Sequence, residues 1–184
     1  MSVRTLHRSI VLLVCLSLVP VALAGKKKEE RQAKIDATAT EALNVLFSKN
    51  DKAQRLYDKA AGYAVFDNLK LSLFISGGGG SGVAVDNANG SRTYMRMGTA
   101  GLNVGLGGQK YQVIFLFQDR ETFEDFIDNG WQADAQANAV AGRAGANAAT
   151  TFENGLAVFQ ITEAGLMLQA DIAGTRYWKS RKLN

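Results

Sequence analysis

Histidine, cysteine and proline are almost absent from this 184-residue chain. Each occurs once, and all three stand within the first 20 positions, as His7, Cys15 and Pro20. Removal of that stretch in the cell would leave a protein without imidazole or thiol. Such a protein has no Ser-His-Asp triad, no cysteine nucleophile, no zinc site of Cys/His ligands and no disulfide.

Net charge is also small. The chain carries a formal charge of +4, and loss of Arg4 and Arg8 would reduce it to about +2. A charge of that size does not predict binding to nucleic acid, which is associated with a strongly basic domain. The length predicts one domain, and an apolar content of 47% is ordinary for a globular protein.

Residues 1–24 have the pattern of a cleaved secretory signal. Arg4 and Arg8 precede an apolar run over residues 10–19, and Ala22-Leu23-Ala24 places small residues where a signal peptidase reads them. We therefore expect cleavage between Ala24 and Gly25, and a mature protein of residues 25–184 in the periplasm. Two alternatives remain open: a membrane anchor, although the apolar run is shorter than the roughly 20 residues of a spanning helix, and lipidation at Cys15.

The first part of the mature chain is charged and free of glycine. Over residues 26–61 the apolar side chains recur at the spacing of a helix face, and Ser48-Lys49-Asn50-Asp51 interrupts the pattern. The spacing predicts two amphipathic helices over about residues 30–61. We expect the first to dock its Leu43 and Phe47 face on a sheet.

All 19 glycines lie at or after Gly25, and from Gly62 they alternate with short apolar runs. One further helix is indicated, with Asp119 as its N-cap and Phe123, Phe126 and Ile127 on one face. The fold class predicted is α+β, with a mainly antiparallel curved sheet or partial barrel over about residues 62–178. The predicted strands are residues 63–66, 69–75, 81–85, 92–97, 101–106, 111–117, 133–141, 157–161 and 165–173. Residues 131–141 alternate Trp131 and alanines with polar residues, which favours a strand, and a helix is the alternative there.

Two glycine clusters resemble nucleotide-binding motifs without satisfying them. Gly77, Gly79 and Gly82 match GxGxxG, but a strand-like run follows where a dinucleotide site needs a helix. In Gly107-Gly108-Gln109-Lys110-Tyr111, Gln109 and Tyr111 stand where a P-loop needs other residues. Either the glycines serve strand bulges and barrel corners, or they let a ligand approach bare backbone.

Five acidic residues crowd the predicted internal helix: Asp119, Glu121, Glu124, Asp125 and Asp128. A pair of them could be spaced for glycosidase chemistry, but acidic residues are also what the N-terminal turns of a solvated helix favour. The calcium-loop pattern is absent. We predict no catalytic residues, no metal site and no cofactor.

Basic residues concentrate at the two ends of the mature chain, and the C-terminal set includes two aromatic residues. Cations next to interfacial aromatic rings favour attachment to an anionic membrane surface, whereas solvated termini are the plainer interpretation. The predicted lipid-binding residues are Lys26, Lys27, Lys28, Arg31, Lys34, Phe47, Arg176, Tyr177, Trp178, Lys179, Arg181 and Lys182.

The order of four segments resembles the SYLF-domain family, over about residues 35–180. The segments are Ala61-Gly62-Tyr63-Ala64-Val65-Phe66; Gly77 to Gly82 with Val83-Ala84-Val85; Gly98-Thr99-Ala100-Gly101 with Gly105, Gly107, Gly108 and Gln109; and Glu163-Ala164-Gly165-Leu166 with Gly174. The order of these motifs is more specific than any one of them.

The resemblance implies a non-enzymatic module. Eukaryotic members are phosphoinositide-binding and, in fungi, actin-regulating, and their basic amphipathic N-terminal helix contacts the membrane. Bacterial members are commonly exported. An exported protein meets neither actin nor phosphoinositides, and Arg92, Tyr94 and Met95 stand where eukaryotic relatives have a tryptophan and a proline, so the implied ligand is anionic lipid in general. Membrane contact would fall on Lys26, Lys27, Lys28, Arg31 and Lys34 with the apolar face of Ile35, Leu43 and Phe47.

The leading hypothesis is therefore an exported protein that attaches peripherally to anionic phospholipid without catalysis. The alternative is an envelope protein-interaction or structural module that pairs through an exposed strand edge. An enzyme is a third option, and without His or Cys its chemistry would rest on carboxylates, Lys or Tyr.

Overall fold

The computed structural model describes residues 3–132, 151–163, 165–167 and 174–184, with side chains from residue 25 onward except at 70–76, 101–107, 165 and 167. Three helices and six strands make up this part of the chain. The helices are α1 (Val3–Lys49), α2 (Asp51–Tyr57) and α3 (Arg120–Asp128). The strands are β1 (Gly62–Asp86), β2 (Arg92–Phe117), β3 (Trp131–Gln132), β4 (Leu156–Thr162), β5 (Gly165–Met167) and β6 (Thr175–Lys179).

The six strands form one sheet in the order β3-β6-β2-β4-β5, with β1 paired to β2, and each of these pairings is antiparallel. The predicted α+β class with an antiparallel sheet is confirmed. Six of the predicted strands fuse into two: β1 and β2 pair from Gly62↔Phe117 to Val85↔Arg92, with one register shift between Leu73 and Ile75. Together they form one long hairpin that runs through both glycine clusters.

Strand β1 folds back on itself, so that its first and last parts lie side by side. Asn87 donates its backbone N–H to the carbonyl of Ala61 at 3.0 Å, which ties the two ends together. Further along, a Cβ atom at Gly82 would overlap the carbonyl oxygen of Val65, and one at Gly80 would overlap that of Asp67. Gly80 and Gly82 therefore serve close backbone approach within the strand, which agrees with the structural interpretation of this cluster.

Each face of the sheet carries its own apolar core. On one face, Leu43 and Leu46 of α1 pack with a layer that includes Val65, Val83 and Ile114. The predicted docking of the Leu43 face is confirmed, while Phe47 is half-buried with its ring 5.1 Å from that of Tyr57. The other face carries the aromatic core under α3, which includes Phe66, Phe115, Phe117, Phe123, Phe126 and Tyr177.

Side-chain caps mark the starts of α2 and α3. The carboxylate of Asp119 accepts a hydrogen bond from the Thr122 N–H at 2.8 Å, which is the predicted N-cap of α3. Asn50 caps α2 in the same way, because its side-chain oxygen accepts from the N–H groups of Lys52 and Ala53, so the predicted break between the first two helices is confirmed. Helix α1 is continuous from Val3, well before the predicted start at about residue 30.

One strand, β6, was missed at the C-terminal side of the sequence, whereas β3 confirms the start of a predicted one. β6 was interpreted only as a basic terminal segment, yet it is a central strand that pairs with both β2 and β3. β3 is two residues long and lies at the start of the predicted alanine-rich strand, whose residues 133–141 fall outside the described part. β5 is described over Gly165–Met167, the first part of the predicted strand 165–173.

Candidate functional site

A cavity of about 590 Å³ opens between α1, the β1–β2 hairpin and the C-terminal residues. We call it the cationic cavity, because five basic side chains line it and Asp67 is the acidic residue among its lining positions. These five are Arg31 and Lys34 from α1, Arg96 and Lys110 from β2, and Lys182 from the C-terminal segment. Basic residues that are far apart in the sequence therefore meet in one place.

Helix periodicity and strand pairing place four of the five cations. Arg31 and Lys34 are three residues apart and lie on one side of α1, next to Ile35, which packs on the core. Arg96 lies two positions after Tyr94, so both side chains stand on the sheet face that α1 covers. Lys110 pairs with Leu69 across the β1–β2 ladder, at the rim of the same cavity.

The five cations of the cavity form no ion pair with another residue that the structure describes. The ion pairs in the described part of the chain are formed by Arg92, Arg120 and Lys179. Like charges that line one concave surface reinforce each other and raise the local positive potential. The cavity is therefore an attractive place for an anion.

Two apolar side chains stand beside these charges. Leu69 and Trp178 are 43% and 44% exposed, and they are the large exposed apolar residues of the described surface. Trp178 is the direct strand partner of Arg96, so the two side chains share one face, and its ring lies over Gly98. Each exposed apolar side chain is thus adjacent to a cation, which is the pairing that interfacial sites use.

Hydrogen bonds hold α1 and the C-terminus against the sheet at this point. Gln32 donates from Nε2 to the carbonyl of Leu183 at 2.8 Å, and the Tyr94 hydroxyl donates to Oδ2 of Asp36 at 3.0 Å. Asn184 accepts from the Tyr94 N–H at 2.9 Å and donates to the Tyr94 carbonyl at 2.8 Å. These bonds fix the helix wall of the cationic cavity relative to its strand wall.

The Tyr94–Asp36 bond predicts a stability loss at high pH. Burial, followed by the hydrogen bond to Asp36, raises the pKa of Tyr94 to about 12. The unfolded chain has a tyrosine pKa of about 10. The contribution of protonated Tyr94 to the free energy of unfolding is therefore complete below about pH 10 and is lost as pH rises toward about 12. We expect the free energy of unfolding, measured by urea titration, to fall over that range.

The matched variant for this prediction is Tyr94→Phe. Burial also raises the pKa of Tyr63 and Tyr177, so a decline remains in the variant, but it should be shallower than in the wild type. A decline of equal steepness in both proteins would show that ionisation of Tyr94 does not destabilise the fold.

The structure separates the predicted lipid-binding residues into groups. Arg31, Lys34 and Lys182 line the cationic cavity together, and Lys26, Lys27 and Lys28 precede them on α1. Arg176, Trp178 and Arg181 are exposed at the C-terminal side. Lys179 is also exposed but pairs with Asp128 at 3.2 Å.

The prediction that Tyr177 contacts lipid is wrong. It was grouped with the surface aromatic residues, but it is 2% exposed and its ring lies 4.6 Å from that of Phe66. The alternation of β6 explains this, because Tyr177 points into the aromatic core while Arg176 and Trp178 point out. In this fold Tyr177 does not present its ring to a membrane.

Helix α3 carries its acidic residues on the solvent side. Arg120 is bonded to Glu124 at 2.7 Å and to the buried Asp86 at 3.0 Å. The backbone N–H of Thr122 lowers the pKa of Asp119, as expected for a capping carboxylate. Among the described positions, no group of three or more His, Cys, Asp or Glu residues could hold a metal ion, and no helix has the length and apolar character needed to cross a bilayer.

Two residues of the cavity, Arg96 and Lys110, were not among the predicted site residues. Asn68 borders the cationic cavity and is 3% exposed, but strand alternation turns its side chain to the face of Phe66 and Tyr111, where neither amide atom has a hydrogen-bond partner among the residues that the structure describes. A weak signal existed for Arg96, a lone cation between Met95 and Met97 in a strand. Lys110 was considered only as a P-loop lysine, and the P-loop interpretation was rejected.

Comparison with known proteins gives one strong match. No protein-family model matches the chain. It is 42% identical over 161 residues to Beta cell expansion factor A of Aeromonas veronii. The aligned region covers 88% of this chain and 62% of that protein, so the chain spans less than two thirds of the relative's length. Over most of its own length, the chain is a homologue of that protein.

Proposed function

We propose that the protein attaches peripherally to anionic phospholipid at a membrane surface and has no catalytic activity. One observation carries the proposal: five cations from α1, β2 and the C-terminus converge on one cavity, with the exposed Leu69 and Trp178 beside them. Cations and interfacial apolar side chains together are what binding to a charged lipid surface requires.

The proposed mechanism combines two contacts, one made by the cations and one made by the Trp178 ring. The cations meet lipid phosphates, and each contributes about 1 kcal/mol near an anionic surface. Trp178 enters the headgroup region, where an amphipathic ring is favoured. Lys26, Lys27 and Lys28 extend the basic surface along α1, on the N-terminal side of the cavity.

We also propose that the chain is an exported member of the SYLF-domain family. Support comes from the segment order already given and from the fold, in which the glycine motifs lie in the long β1–β2 hairpin behind a basic helix. The leader pattern supports export to the periplasm, where the protein would lie on a membrane. N-terminal sequencing of the secreted protein should begin at Gly25, whereas a start at Met1 would contradict processing.

Tryptophan fluorescence tests the membrane proposal directly. The chain has two tryptophans, and Trp131 packs in the aromatic core with its ring 5.5 Å from that of Phe115. We expect the Trp131→Phe variant to keep a blue shift on phosphatidylglycerol vesicles, because Trp178 moves into the headgroup region. The Trp178→Phe variant should lose most of that shift.

Affinity gives the second readout of the same experiment. Trp178→Ala should weaken vesicle binding about tenfold, since burial of a large side chain contributes roughly 1.5–3 kcal/mol. A shift that persists in Trp178→Phe, or wild-type affinity in Trp178→Ala, would contradict the proposed contact. Absence of vesicle binding by the wild type would favour the envelope protein-interaction module.

A second candidate function comes from the relative. Its name attributes beta cell expansion to it, and this chain shares 42% identity with it over 161 residues. We propose that the purified protein expands beta cells in culture, as a separate activity to be counted against untreated cells. Unchanged cell numbers would contradict this candidate and leave the membrane proposal untouched.

A further inference from the structure

Trp178 forms a block of four positions on one face of the sheet with Gly98 and two arginines. Arg96 pairs directly with Trp178, and Arg176 pairs directly with Gly98, so the side chains of this block share that face. The indole reaches diagonally across the block, because its Cη2 and Cζ3 atoms lie 3.2 and 3.5 Å from the position that a Cβ atom of Gly98 would take. Arg96 and Arg176 therefore occupy the two corners on either side of the ring.

The three side chains of this block are open to solvent. Trp178 is 44% exposed, and Arg96 and Arg176 are exposed as well. Neither arginine forms an ion pair with another residue of the described ranges. The backbone of Gly98 covers one side of the indole. Its other side is a flat apolar surface with a positive charge at each flank.

Residues without large side chains continue this surface along the hairpin. Gly98 pairs with Gly79, and Ala100, the next residue of β2 on that face, pairs with Gly77. Gly77, Gly79 and Ala100 are exposed, and a Cβ atom at Gly77 would meet nothing within 4 Å. We call these three residues the flat strip. Because the indole lies at its end, an extended ligand chain that contacts the ring can continue along the strip.

The chemistry of this surface matches an acidic sugar. One side of a pyranose ring presents C–H groups, whose small positive partial charges are attracted to the negative face of an aromatic ring. In a uronic acid the carboxylate is attached at the edge of the sugar ring and lies near its plane. It therefore points sideways from a stacked sugar, toward an arginine at a corner of the block. The planar guanidinium group binds a carboxylate through two parallel hydrogen bonds.

A single strand of nucleic acid fits the same surface less well. Proteins that bind such strands stack successive bases on several aromatic rings along a basic groove. Trp178 is the large aromatic residue exposed on the described surface, and the flat strip that continues from it carries no ring. One ring between two cations is sufficient for a stacked uronic acid.

We propose that Trp178, Arg96 and Arg176 form a binding site for an acidic polysaccharide. A uronic acid ring stacks on the indole, an arginine holds its carboxylate, and the neighbouring sugars lie along the flat strip. The inference goes beyond the proposed membrane attachment, because its ligand is soluble and contains no phosphate. Arg176 lies outside the lining of the cationic cavity, so the two binding activities can be tested separately.

The direct test is an NMR titration of the isotope-labelled full chain with trigalacturonic acid, followed through the indole N–H signal of Trp178. Two matched probes separate ring and charge. The trimethyl ester of the same trisaccharide keeps the sugar rings without the charge, and tricarballylate keeps the carboxylates without a ring. We expect saturable binding of trigalacturonic acid and about tenfold weaker affinity for each probe. Equal affinity for either probe, or no saturable binding of trigalacturonic acid, would overturn the proposal.

Variants locate the site, with binding followed through the backbone N–H signal of Gly98. Trp178→Ala should weaken binding of trigalacturonic acid about tenfold, because the stacking surface is lost. Arg176→Gln should weaken it about threefold, the size expected for a solvent-exposed ion pair. The charge control is Arg55→Gln on α2, which lies at a separate small groove. An equal loss in the control and in Arg176→Gln would assign the effect to net charge and contradict the site.

The flat strip is tested without any change in charge. A Cβ atom at Gly79 would have the Met97 carbonyl oxygen as its nearest neighbour, at an ordinary contact distance of 3.6 Å, so Gly79→Val should fold. Its branched side chain would cover the strip, and we expect it to weaken binding of trigalacturonic acid about tenfold. Wild-type affinity in this variant would contradict the placement of neighbouring sugars on the strip.

Vesicle binding separates this inference from membrane attachment. Arg176→Gln should lose affinity for trigalacturonic acid and keep most of its affinity for phosphatidylglycerol vesicles, whereas Lys34→Gln should do the reverse. Vesicle binding without any binding of trigalacturonic acid would overturn this inference and leave membrane attachment standing. Binding of trigalacturonic acid without vesicle binding would support this inference and contradict membrane attachment. A single-stranded oligonucleotide that binds at Trp178 more tightly than trigalacturonic acid would overturn the assignment to a sugar.

Discussion

Replacement of Gly82 by alanine is expected to lower the free energy of unfolding by about 3 kcal/mol. The added methyl group would overlap the carbonyl oxygen of Val65 and press on the ring of Phe66. The backbone at Val65 cannot move away as a flexible side chain could, because its position is fixed by the β1–β2 ladder. The first and last parts of β1 would have to separate, and both cores would open.

The same glycine cluster contains the control. A Cβ at Gly77 would meet nothing within 4 Å, and Gly77 lies in the same strand five positions before Gly82. Gly77→Ala should leave stability unchanged or raise it by roughly 0.4–1 kcal/mol, since alanine restricts the unfolded chain. Urea unfolding followed by circular dichroism compares the two. Equal stability of the two variants would contradict the fold-back of β1.

Reversal of two charges at the cationic cavity should nearly abolish binding to anionic vesicles. Lys34 and Lys182 are exposed, and they enter the cavity wall from opposite ends of the chain. Each loses an attraction of about 1 kcal/mol and gains a repulsion of similar size when it becomes glutamate. For Lys34→Glu/Lys182→Glu the expected loss is about 4 kcal/mol, or roughly a thousandfold in affinity.

A control with the same change in net charge is available on α2 and in the turn that follows it. Lys52 and Lys59 are exposed and line the separate small groove. Lys52→Glu/Lys59→Glu should reduce vesicle affinity far less than the cavity variant, because screening at physiological salt limits the effect to about 8 Å. Unfolding curves should show that both variants remain folded. Equal losses of affinity would mean that overall charge, and not the cavity, directs binding.

Local signals explain which parts of the fold were predictable. The caps at Asn50 and Asp119 depend on residues within three positions, so the helix boundaries they set were visible in the sequence. The strands of the hairpin were also visible, because apolar alternation is local. Their fusion into β1 and β2 was not, since glycine runs interrupt the pattern without interrupting the pairing.

Parts of the site depend on contacts between distant residues, and these were not predictable. The fold-back that brings Gly82 close to Val65 has no local signature in the sequence. A glycine indicates that the backbone can adopt many conformations, but it does not indicate which one is adopted. Tyr177 and Trp178 looked equivalent in sequence, but strand alternation places one in the core and the other at the surface. Arg96 joins the terminal cations only because β6 pairs with β2.

The prediction that the two basic ends act together receives a geometric basis from the fold. The side chain of Gln32 donates a hydrogen bond to the carbonyl of Leu183. Because these two residues are near opposite ends of the sequence, the bond brings Lys34 and Lys182 to one cavity. Their composition predicts one function for these residues, but nothing local in the sequence indicates that they lie side by side. Arg96 and Lys110 of β2 complete a cavity that neither end would form alone.

Co-sedimentation with lipid vesicles is the most direct test of the central claim. The protein would be mixed with phosphatidylglycerol vesicles and, separately, with phosphatidylcholine vesicles, at low and at moderate salt. We expect binding to the anionic vesicles alone, and a clear loss of that binding as salt rises, because the cations of the cavity act through screened charge. No binding to either vesicle, or equal binding to both at every salt concentration, would contradict attachment through anionic phospholipid.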